Sequence, residues 1–478
     1  MKFLRRSSLK VAVYKKVSGQ ITIWTALCFL VFTGLYLACL QSVRMQYQKK
    51  QAEQATEAGM FSLFSEFEPH LLEQYDLFCL DTSFGGRTER TDELSSHLWE
   101  FTENNSAADE MAVEGVEIKN MVRITDGSGS AFFRQGVEIM KEKTGMSLAE
   151  DWLLQKVLQE RAEENARKFQ EDCARYEGSV RDYEDEEDDE EGEDRSLAPQ
   201  ARQWDGIWNS FTLAKAVPDG CYVSEKAISL ETTPSHRELS VGVGLPSGTE
   251  NQLIQKQLFI SYLCEYMKHA QEMLPETERK GYLDYQLEYV IAGKGTDREN
   301  LSNVIGKLLL FREGINYIFL LTHPPLREKA EILALMLAGM TGNEGVIKGL
   351  EQLILLGWAY GESLVEVRQL LLGNELAAVK TEKDWRVPLS SLLTVLNDPG
   401  RYDKATGKQE GICYETFLRM FLTMESAETL SMRALDIIEG ETRRMNGCAD
   451  LHLDHCVDYL TAQIWVGDLY LERSYGYE

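Results

Sequence analysis

The stretch ITIWTALCFLVFTGLYLACL, from Ile21 to Leu40, contains no charged residue. As an α-helix its twenty residues would rise about 30 Å, which is the hydrocarbon thickness of a bilayer. A cleaved secretory signal has a shorter apolar region followed by an A-x-A-like exit, and the residues LQSV that begin at Leu40 offer no such exit. A buried core helix rarely lacks charge over this length. The stretch therefore predicts a retained transmembrane helix over residues 19–41.

Charge is distributed unevenly around this segment. Residues 1–50 hold nine basic residues and no acidic one, whereas the whole chain has 50 Lys+Arg, 77 Asp+Glu and a formal net charge of −27. The positive-inside rule places the basic leader, residues 1–18, in the cytoplasm and the bulk of the chain outside the cell membrane. Because so acidic a body repels phosphate backbones, nucleic acid is not expected as a partner.

The predicted helix continues past the membrane. Small and apolar residues recur at spacings of three and four from Ala52 to Phe67, and Pro69 is the first strong helix breaker. This pattern predicts a juxtamembrane segment over residues 42–73 and one helix from about Gln20 to Glu68. Burial of its apolar stripe against the chain's own body would favour a self-contained ectodomain, whereas exposure would favour a protein that packs on partner helices.

The fold class beyond the anchor is predicted to be α+β, with a helix-rich ectodomain and an acidic insertion. A first α+β segment covers residues 74–176, with a strand over Met111–Thr125 and helical character over 131–175. An acidic disordered linker follows over 177–202, because Glu184–Asp194 places ten acids in eleven positions. Carboxylates also bind calcium, but this run lacks the ordered ligand spacing of calcium loops.

The main ectodomain, residues 203–478, is predicted to mix helices with a few strands. Clean alternation of apolar and polar residues predicts a strand over 283–291, and Thr296-x-x-Glu299 is typical of a capping box that opens the next helix. The remaining predicted elements are a strand at 238–245, helices at 251–273, 327–338, 345–358, 361–372 and 414–444, and a closing hairpin within 451–471.

The sequence contains no complete catalytic or cofactor-binding motif. The run Gly293-Lys294-Gly295-Thr296 lacks the first glycine of the phosphate-binding pattern G-x-x-x-x-G-K, so a capped turn from strand to helix is the preferred interpretation. Gly242, Gly244 and Gly248 have the wrong spacing for a dinucleotide site. We therefore predict no catalytic residue, no cofactor and no enzymatic activity.

One cluster carries metal-type ligands: Cys448, His452, His455 and Cys456. On a helix, the first three would share a face, as a zinc site requires. On a strand, the donors that share a face lie too far apart to hold one ion. Because the local alternation favours a strand, a structural cross-link between Cys448 and Cys456 is preferred over a metal site, and the two alternatives remain open.

The head of the chain resembles a known group of proteins. A basic leader ending at Gly19, an apolar helix and the Ala-rich continuation QKKQAEQATEAGMFSLF are similar to the pilin-like proteins of tight-adherence (Tad/Flp) pilus systems. That resemblance implies cleavage after Gly19 by a prepilin peptidase. The group carries a glutamate five residues after the glycine, and here Trp24 stands at that position.

The body resembles a second group. The segments LFSEFEPHLLEQYDLFCLD (63–81), LDYQLEYVIAGKGTDRENL (283–301), LLLFREGINYIFLLT (308–322) and ERSYGYE (472–478) are similar to an uncharacterised family of single-pass bacterial proteins, domain-of-unknown-function family 5702. Its members tend to be encoded beside Tad-type pilus machinery. The resemblance implies a membrane-anchored, extracytoplasmic role.

Two functions follow from these observations. The first is a non-catalytic, membrane-anchored component of a Tad-like pilus or secretion system, which contacts other proteins of that system through its transmembrane and juxtamembrane helix. The alternative is a membrane-tethered ligand-binding or sensory ectodomain, which needs a concave pocket between helical and strand layers.

Overall fold

The computed structural model describes residues 18–106, 112–144, 213–244, 252–270, 281–338, 344–377, 380–404 and 411–477, with a few single positions between 164 and 171. Nearly all of the basic leader, the acidic run Glu184–Asp194, and most of the helix predicted over 131–175 lie outside these residues. The described part divides into two compact units, which interleave along the chain.

The first unit contains the described residues up to Phe67 and those within Arg90–Met121 and Tyr459–Tyr477. Its long helix α1 spans Ser18–Phe64, and because an α-helix rises 1.5 Å per residue, α1 is about 70 Å long. This confirms that the apolar segment and its amphipathic continuation form one helix, which ends four residues before the predicted position. Helix α3, Thr91–Asn105, packs along α1.

The second unit is a helical body with two apolar cores. Among the described residues, its α-helices are α2 (Pro69–Tyr75), α4 (Asp126–Thr144), α5 (Leu213–Ala216), α6 (Gln252–Tyr266), α7 (Gln286–Ala292), α8 (Asp297–Thr322), α9 (Pro324–Ala338), α10 (Glu344–Leu371), α11 (Leu392–Asn397), α12 (Tyr414–Met424) and α13 (Ala427–Thr442). Helices α4, α6, α7, α12 and α13 enclose the larger core, and the smaller one lies among α9, α11 and the adjoining halves of α8 and α10.

A small sheet completes the α+β fold. Strands β1 (Leu80–Asp81), β2 (Val113–Arg123), β3 (Cys456–Val466) and β4 (Leu469–Gly476) form it in the order β1-β3-β2, and β4 also pairs with β3. Strand β3 pairs antiparallel with β1, where Asp81 faces Cys456, and with β4, where Val466 faces Leu469. The predicted strand within 111–125 is confirmed, and so is the closing hairpin, although β4 extends to Gly476, beyond the predicted range of 451–471.

The strand predicted over 283–291 is wrong, because residues 286–292 form helix α7. The prediction assumed that the polar residues of the alternating pattern face solvent. Instead Glu288 is buried and accepts hydrogen bonds from the Ala270 N–H at 2.8 Å and the Tyr414 hydroxyl at 2.9 Å. Since Gln286 and Glu288 are both buried, the alternation does not mark a half-buried strand.

The strand predicted at 238–245 is also not formed over its described residues, 238–244. Side-chain carboxylates take the place of a neighbouring strand there. The Ser240 N–H donates to Asp454 Oδ2 at 3.0 Å, and the Gly242 N–H donates to Asp126 Oδ1 at 2.8 Å.

Two helix boundaries also differ from prediction. Gly361 does not separate two helices but lies within α10, where a Cβ atom would come 2.8 Å from Leu392 Cδ1, so the glycine permits close approach of α11. The helix predicted over 414–444 divides into α12 and α13, because the Ser426 side chain accepts from the Thr429 N–H and starts a new helix. Thr296 caps α8 in the same way, which confirms the Thr296 half of the predicted capping box.

Candidate functional site

The exposed part of α1 is the most distinctive surface of the first unit. The residues from Ile21 to Leu40 are all exposed, and Phe29 and Leu30 each keep 74% of their surface accessible. This helix is long and apolar enough to cross a membrane. Because the backbone hydrogen bonds of a helix are satisfied within it, such a segment can enter hydrocarbon without leaving unpaired peptide groups.

The character of α1 changes within one or two turns. Tyr47 is still exposed, whereas Ala52 and Leu63 are completely buried. The buried stripe is formed by residues at spacings of three and four that face α3 and β4: Ala52, Ala55, Thr56, Gly59, Met60, Leu63 and Phe64. The apolar stripe is therefore covered within the unit itself, which is the outcome that favours a self-contained ectodomain.

Close packing and hydrogen bonds hold this stripe in place. At Gly59 a Cβ atom would lie 2.4 Å from Thr102 Oγ1, so only a glycine lets α1 and α3 approach this closely. The Phe64 ring lies 5.0 Å from the rings of both Tyr475 and Tyr477, and the Tyr477 hydroxyl donates to the Phe64 carbonyl at 2.7 Å. These contacts fix the C-terminal part of α1 within the first unit.

The predicted ligand cluster near residue 450 is separated by the fold. Cys448 and Cys456 are both free thiols, so the cross-link predicted between them is not formed. A short 3-10 turn, Leu453–His455, lies between them. Cys456 faces Asp81 in the sheet, and its thiol is hydrogen-bonded to that of Cys79, which raises the pKa of Cys456 well above its usual range.

His452 belongs to a different group, with Glu439 and Asp454. The three donor atoms lie within 4.8 Å of one another, as a metal site requires. However, Arg237 donates to Glu439 Oε1 and to Asp454 Oδ1, each at 2.5 Å. Arg443 lies 3.0 Å from the His452 ring nitrogens. Burial lowers the pKa of this imidazole most, and the positive charge of Arg443 lowers it further. Two guanidinium groups already neutralise this group, so it is an internal ion network.

Cys448 instead joins Glu68 and His70. The ligand atoms of these three side chains also lie within 4.8 Å of one another, and Cys448 Sγ is 3.6 Å from Glu68 Oε1. Cys448 is buried, whereas Glu68 and His70 are half-buried. Sequence reasoning singled out Cys448 as a possible ligand but placed it with the wrong partners, because Glu68 and His70 are distant in the chain.

The glycine-rich run predicted as a capped turn does connect two elements, but the first is a helix rather than a strand. Gly293 ends α7 with a φ of 63°, and Thr296 begins α8. Asn300 Oδ1 accepts from the Lys294 N–H at 2.7 Å. The residues of this run therefore serve the junction between α7 and α8.

Sequence reasoning missed a buried charge network between α8 and α10. Arg312 binds both oxygens of Glu366, at 2.8 and 2.9 Å, and Lys380 Nζ lies 2.5 Å from Glu366 and 2.6 Å from Glu362. Burial raises the pKa of Glu362, whereas Arg312 and Lys380 outweigh burial and hold the pKa of Glu366 well below its usual range. The available signal was a pair of glutamates one turn apart in an otherwise apolar helix.

A neighbouring carboxyl group lacks this compensation. Glu313 on α8 is buried, its Oε1 has no hydrogen-bond partner, and burial raises its pKa to about 8. Perturbed carboxyls often mark active sites. Glu313, however, lines neither the cleft between α1 and the turn that joins β3 to β4 nor the cleft beside α9.

The comparisons with known proteins agree with the resemblance of the body. A family described as "Family of unknown function (DUF5702)" matches residues 187–468, which is more than half of the chain. No curated protein and no solved structure matches.

Proposed function

The chain belongs to the DUF5702 family of unknown function, and we propose that it is a non-catalytic, membrane-anchored structural protein of a Tad-like pilus or secretion system. The observation that carries the membrane anchoring in this proposal is the two-part character of α1. Its first half is apolar and fully exposed, and its second half is fixed in the chain's own unit. A helix of this kind can anchor the first unit, in which its second half is packed, at a membrane.

The orientation in this proposal follows from charge. Six basic residues precede the apolar segment and no acidic residue occurs before Glu53, so the leader stays in the cytoplasm and the body lies outside the cell. The Tad-like assignment is supported by the resemblance of the leader and apolar helix to pilin-like proteins. Cleavage after Gly19 remains a prediction.

The proposed contact with partner proteins lies within the membrane. Since the stripe from Ala52 to Phe64 is buried, it is not available to another helix. The exposed face includes Gly34, where nothing lies within 4 Å of a Cβ position, and small residues of this kind let helices approach in lipid. We therefore assign lateral contacts to residues 21–40 rather than to the juxtamembrane half.

A non-catalytic role is supported by two groups of buried charges that are paired with one another. Arg237 pairs with Glu439 and Asp454, and Lys380 pairs with Glu362 and Glu366. These charged groups hold separate segments of the second unit together, which is a structural use of charge.

The test uses the full chain in its own membranes. Carbonate washing should leave the protein in the membrane fraction, and a membrane-impermeant amine label should reach the body in intact cells. A photo-crosslinking amino acid at Phe29, which is 74% exposed, should capture a neighbouring protein, whereas the same residue at the buried Leu63 should give only products within the chain. Release by carbonate, or no protein adduct from position 29, would refute the proposal.

A ligand-binding ectodomain remains the alternative, supported by an open cleft of about 580 Å³ beside α9. Ile332, Met336, Trp358 and Trp385 contribute apolar surface to it. This cleft lies beside helices rather than between a helical and a strand layer. A small apolar molecule that copurifies with the chain and is lost from a Met336→Asp variant would favour this function.

A further inference from the structure

Three metal-type side chains meet in the second unit. Glu68 and His70 flank Pro69 at the start of α2, and Cys448 lies in the turn after α13. Their ligand atoms, one carboxylate oxygen, one imidazole nitrogen and one thiol sulfur, all lie within 4.8 Å of one another. In a tetrahedral zinc site with bonds of 2.0–2.3 Å, ligand atoms are separated by about 3.3–3.8 Å. Small rotations of the side chains would therefore bring the three atoms to bonding positions.

The backbone on both sides of this cluster is fixed. The Glu68 N–H donates to the Cys79 carbonyl at 3.0 Å, and the Leu72 N–H donates to the Glu68 carbonyl at 3.4 Å. The Cys448 N–H donates to the Met445 carbonyl at 3.3 Å, and the Cys448 carbonyl accepts from the Leu451 N–H at 3.0 Å. A site whose ligands project from fixed backbone loses little entropy when it binds an ion.

The contacts within the cluster leave ligand atoms free. Glu68 Oε1 accepts from the His70 N–H at 3.2 Å and lies 3.6 Å from the Cys448 sulfur. Within the described part of the chain, the His70 ring forms no hydrogen bond or ion pair, and no Lys or Arg pairs with Glu68. An uncompensated carboxylate, an unpartnered imidazole and a thiol are thus directed at one point.

The second group with metal-type geometry provides an internal contrast. Glu439, His452 and Asp454 satisfy the same distance criterion, but Arg237 and Arg443 already pair with their donor atoms. Both groups have three donors, and only the group at Glu68 lacks a cationic side chain among the described residues. The donors of the group at Glu68 also include sulfur. Sulfur is a common ligand of zinc, whereas calcium and magnesium bind oxygen ligands.

We propose that Glu68, His70 and Cys448 form a binding site for one zinc-type divalent cation. The ion would be four-coordinate, with water or the second Glu68 oxygen in the remaining position. It would reach the site from the side of Glu68 and His70, which are half-buried, while the sulfur lies on the buried side. Binding converts the Cys448 thiol to a metal-bound thiolate and releases one proton to solvent.

The consequence for the fold is a link between two segments that are 380 residues apart in sequence. The metal would join the start of α2 to the turn that precedes β3. Because the unfolded chain cannot assemble this site, binding stabilises the second unit in proportion to the logarithm of free metal concentration. This function is separate from the proposed membrane role.

The test uses the full-length chain in detergent, stripped of metal with a chelator and titrated with Co²⁺ and then Zn²⁺. Binding of Co²⁺ should produce a near-ultraviolet sulfur-to-cobalt charge-transfer band. Added Zn²⁺ should then displace the Co²⁺, and the band should disappear. Cys448→Ser should abolish the band, whereas Cys413→Ser, at a free thiol elsewhere in the second unit, should leave it unchanged. His70→Gln and Glu68→Gln should each weaken zinc binding by at least about tenfold.

Circular dichroism of each variant separates loss of the site from loss of the fold. If Cys448→Ser does not fold, His70→Gln carries the test, because the His70 ring is half-buried and its removal breaks no hydrogen bond of the described residues. A charge-transfer band that persists in folded Cys448→Ser, or equal zinc affinity in wild type and folded His70→Gln, would overturn the proposal.

Discussion

Replacement of Lys380 by methionine should strongly destabilise α10. The Lys380 ammonium is 3% exposed and lies between two buried carboxylates, 2.6 Å from Glu362 and 2.5 Å from Glu366. Together with Arg312, the four groups have no net charge. Methionine fills a similar volume but leaves one negative charge without compensation in the protein interior.

The magnitude follows from the geometry of the network. At an effective dielectric constant of 20, each ion pair at contact distance contributes about 4 kcal/mol. The energetic cost of burying the ammonium offsets several kcal/mol of that sum, and removal of one partner from a buried network usually costs about 3–5 kcal/mol. Because burial already raises the pKa of Glu362, that carboxyl can take up a proton in the variant, so the loss should be smaller at acidic pH.

Hydrogen exchange of α10, resolved by mass spectrometry, measures this effect as a free energy of local opening. Lys380→Met should lower that free energy by about 3–5 kcal/mol at neutral pH. Lys383→Met, a matched change at an exposed lysine, should alter it by less than about 0.5 kcal/mol. The double variant Glu362→Gln/Lys380→Met should recover at least about 1 kcal/mol relative to the sum of the single changes, since it removes both charges of a pair. A loss below about 1 kcal/mol in Lys380→Met, or strict additivity in the double variant, would contradict the assigned charge network.

Two further predictions concern a buried carboxyl group without a charged partner, Glu313, and a tightly packed glycine, Gly59. The pKa of Glu313 is raised to about 8 by burial, so the folded chain keeps a proton that the unfolded chain releases near its ordinary pKa of 4.5. The free energy of unfolding should therefore fall by about 1.4 kcal/mol per pH unit as the pH rises between these values, and Glu313→Gln should remove this pH dependence. Urea titrations of the wild type and of Glu313→Gln, each at pH 5 and pH 8, measure the effect. An equal pH dependence in the two proteins would show that Glu313 is ionised in the fold. Gly59→Val should push α1 from α3, because the new Cβ would lie 2.4 Å from Thr102 Oγ1, and the cost should be about 1–3 kcal/mol in the exchange protection of α3. Gly34→Val, where no atom lies within 4 Å, is its control, and equal protection in the two variants would argue against the close approach.

The sequence was a good guide wherever a pattern depends on local chemistry. The absence of charge from Ile21 to Leu40 and the spacing of small residues after Ala52 predicted α1 as one helix. Thr296 was identified as a helix cap because its role involves only the next turn of the chain. Neither inference required knowledge of which distant segments come together.

The errors arose where distant partners change the meaning of a residue. Glu288 looked solvent-facing from its neighbours in sequence, but Tyr414 and the Ala270 N–H make its burial possible. Gly361 looked like a helix end, whereas its role depends on Leu392. Each of these outcomes is set by a contact between segments far apart in the chain, which periodicity cannot detect.

The candidate site was only partly visible for the same reason. Cys448 drew attention through its neighbours His452 and Cys456, yet its side chain lies beside Glu68, hundreds of residues earlier. The charge network at Lys380 was missed because Arg312, Glu362 and Lys380 come from three separate segments. A glutamate pair one turn apart in an apolar helix is the one local sign that a buried cation was needed nearby.

The cover over the stripe of α1 also has a consequence for biosynthesis. Helix α1 leaves the ribosome early, but β4, which covers Phe64 with Tyr475, is made only after residues 65–468. At about 5–20 residues per second, this takes about 20–80 s. During that interval the aromatic end of the stripe has no cover from β4, and a chain that stops before Leu469 never gains it. A product truncated before β4 would therefore leave Phe64 without its contact to Tyr475 and more accessible to chaperones and proteases.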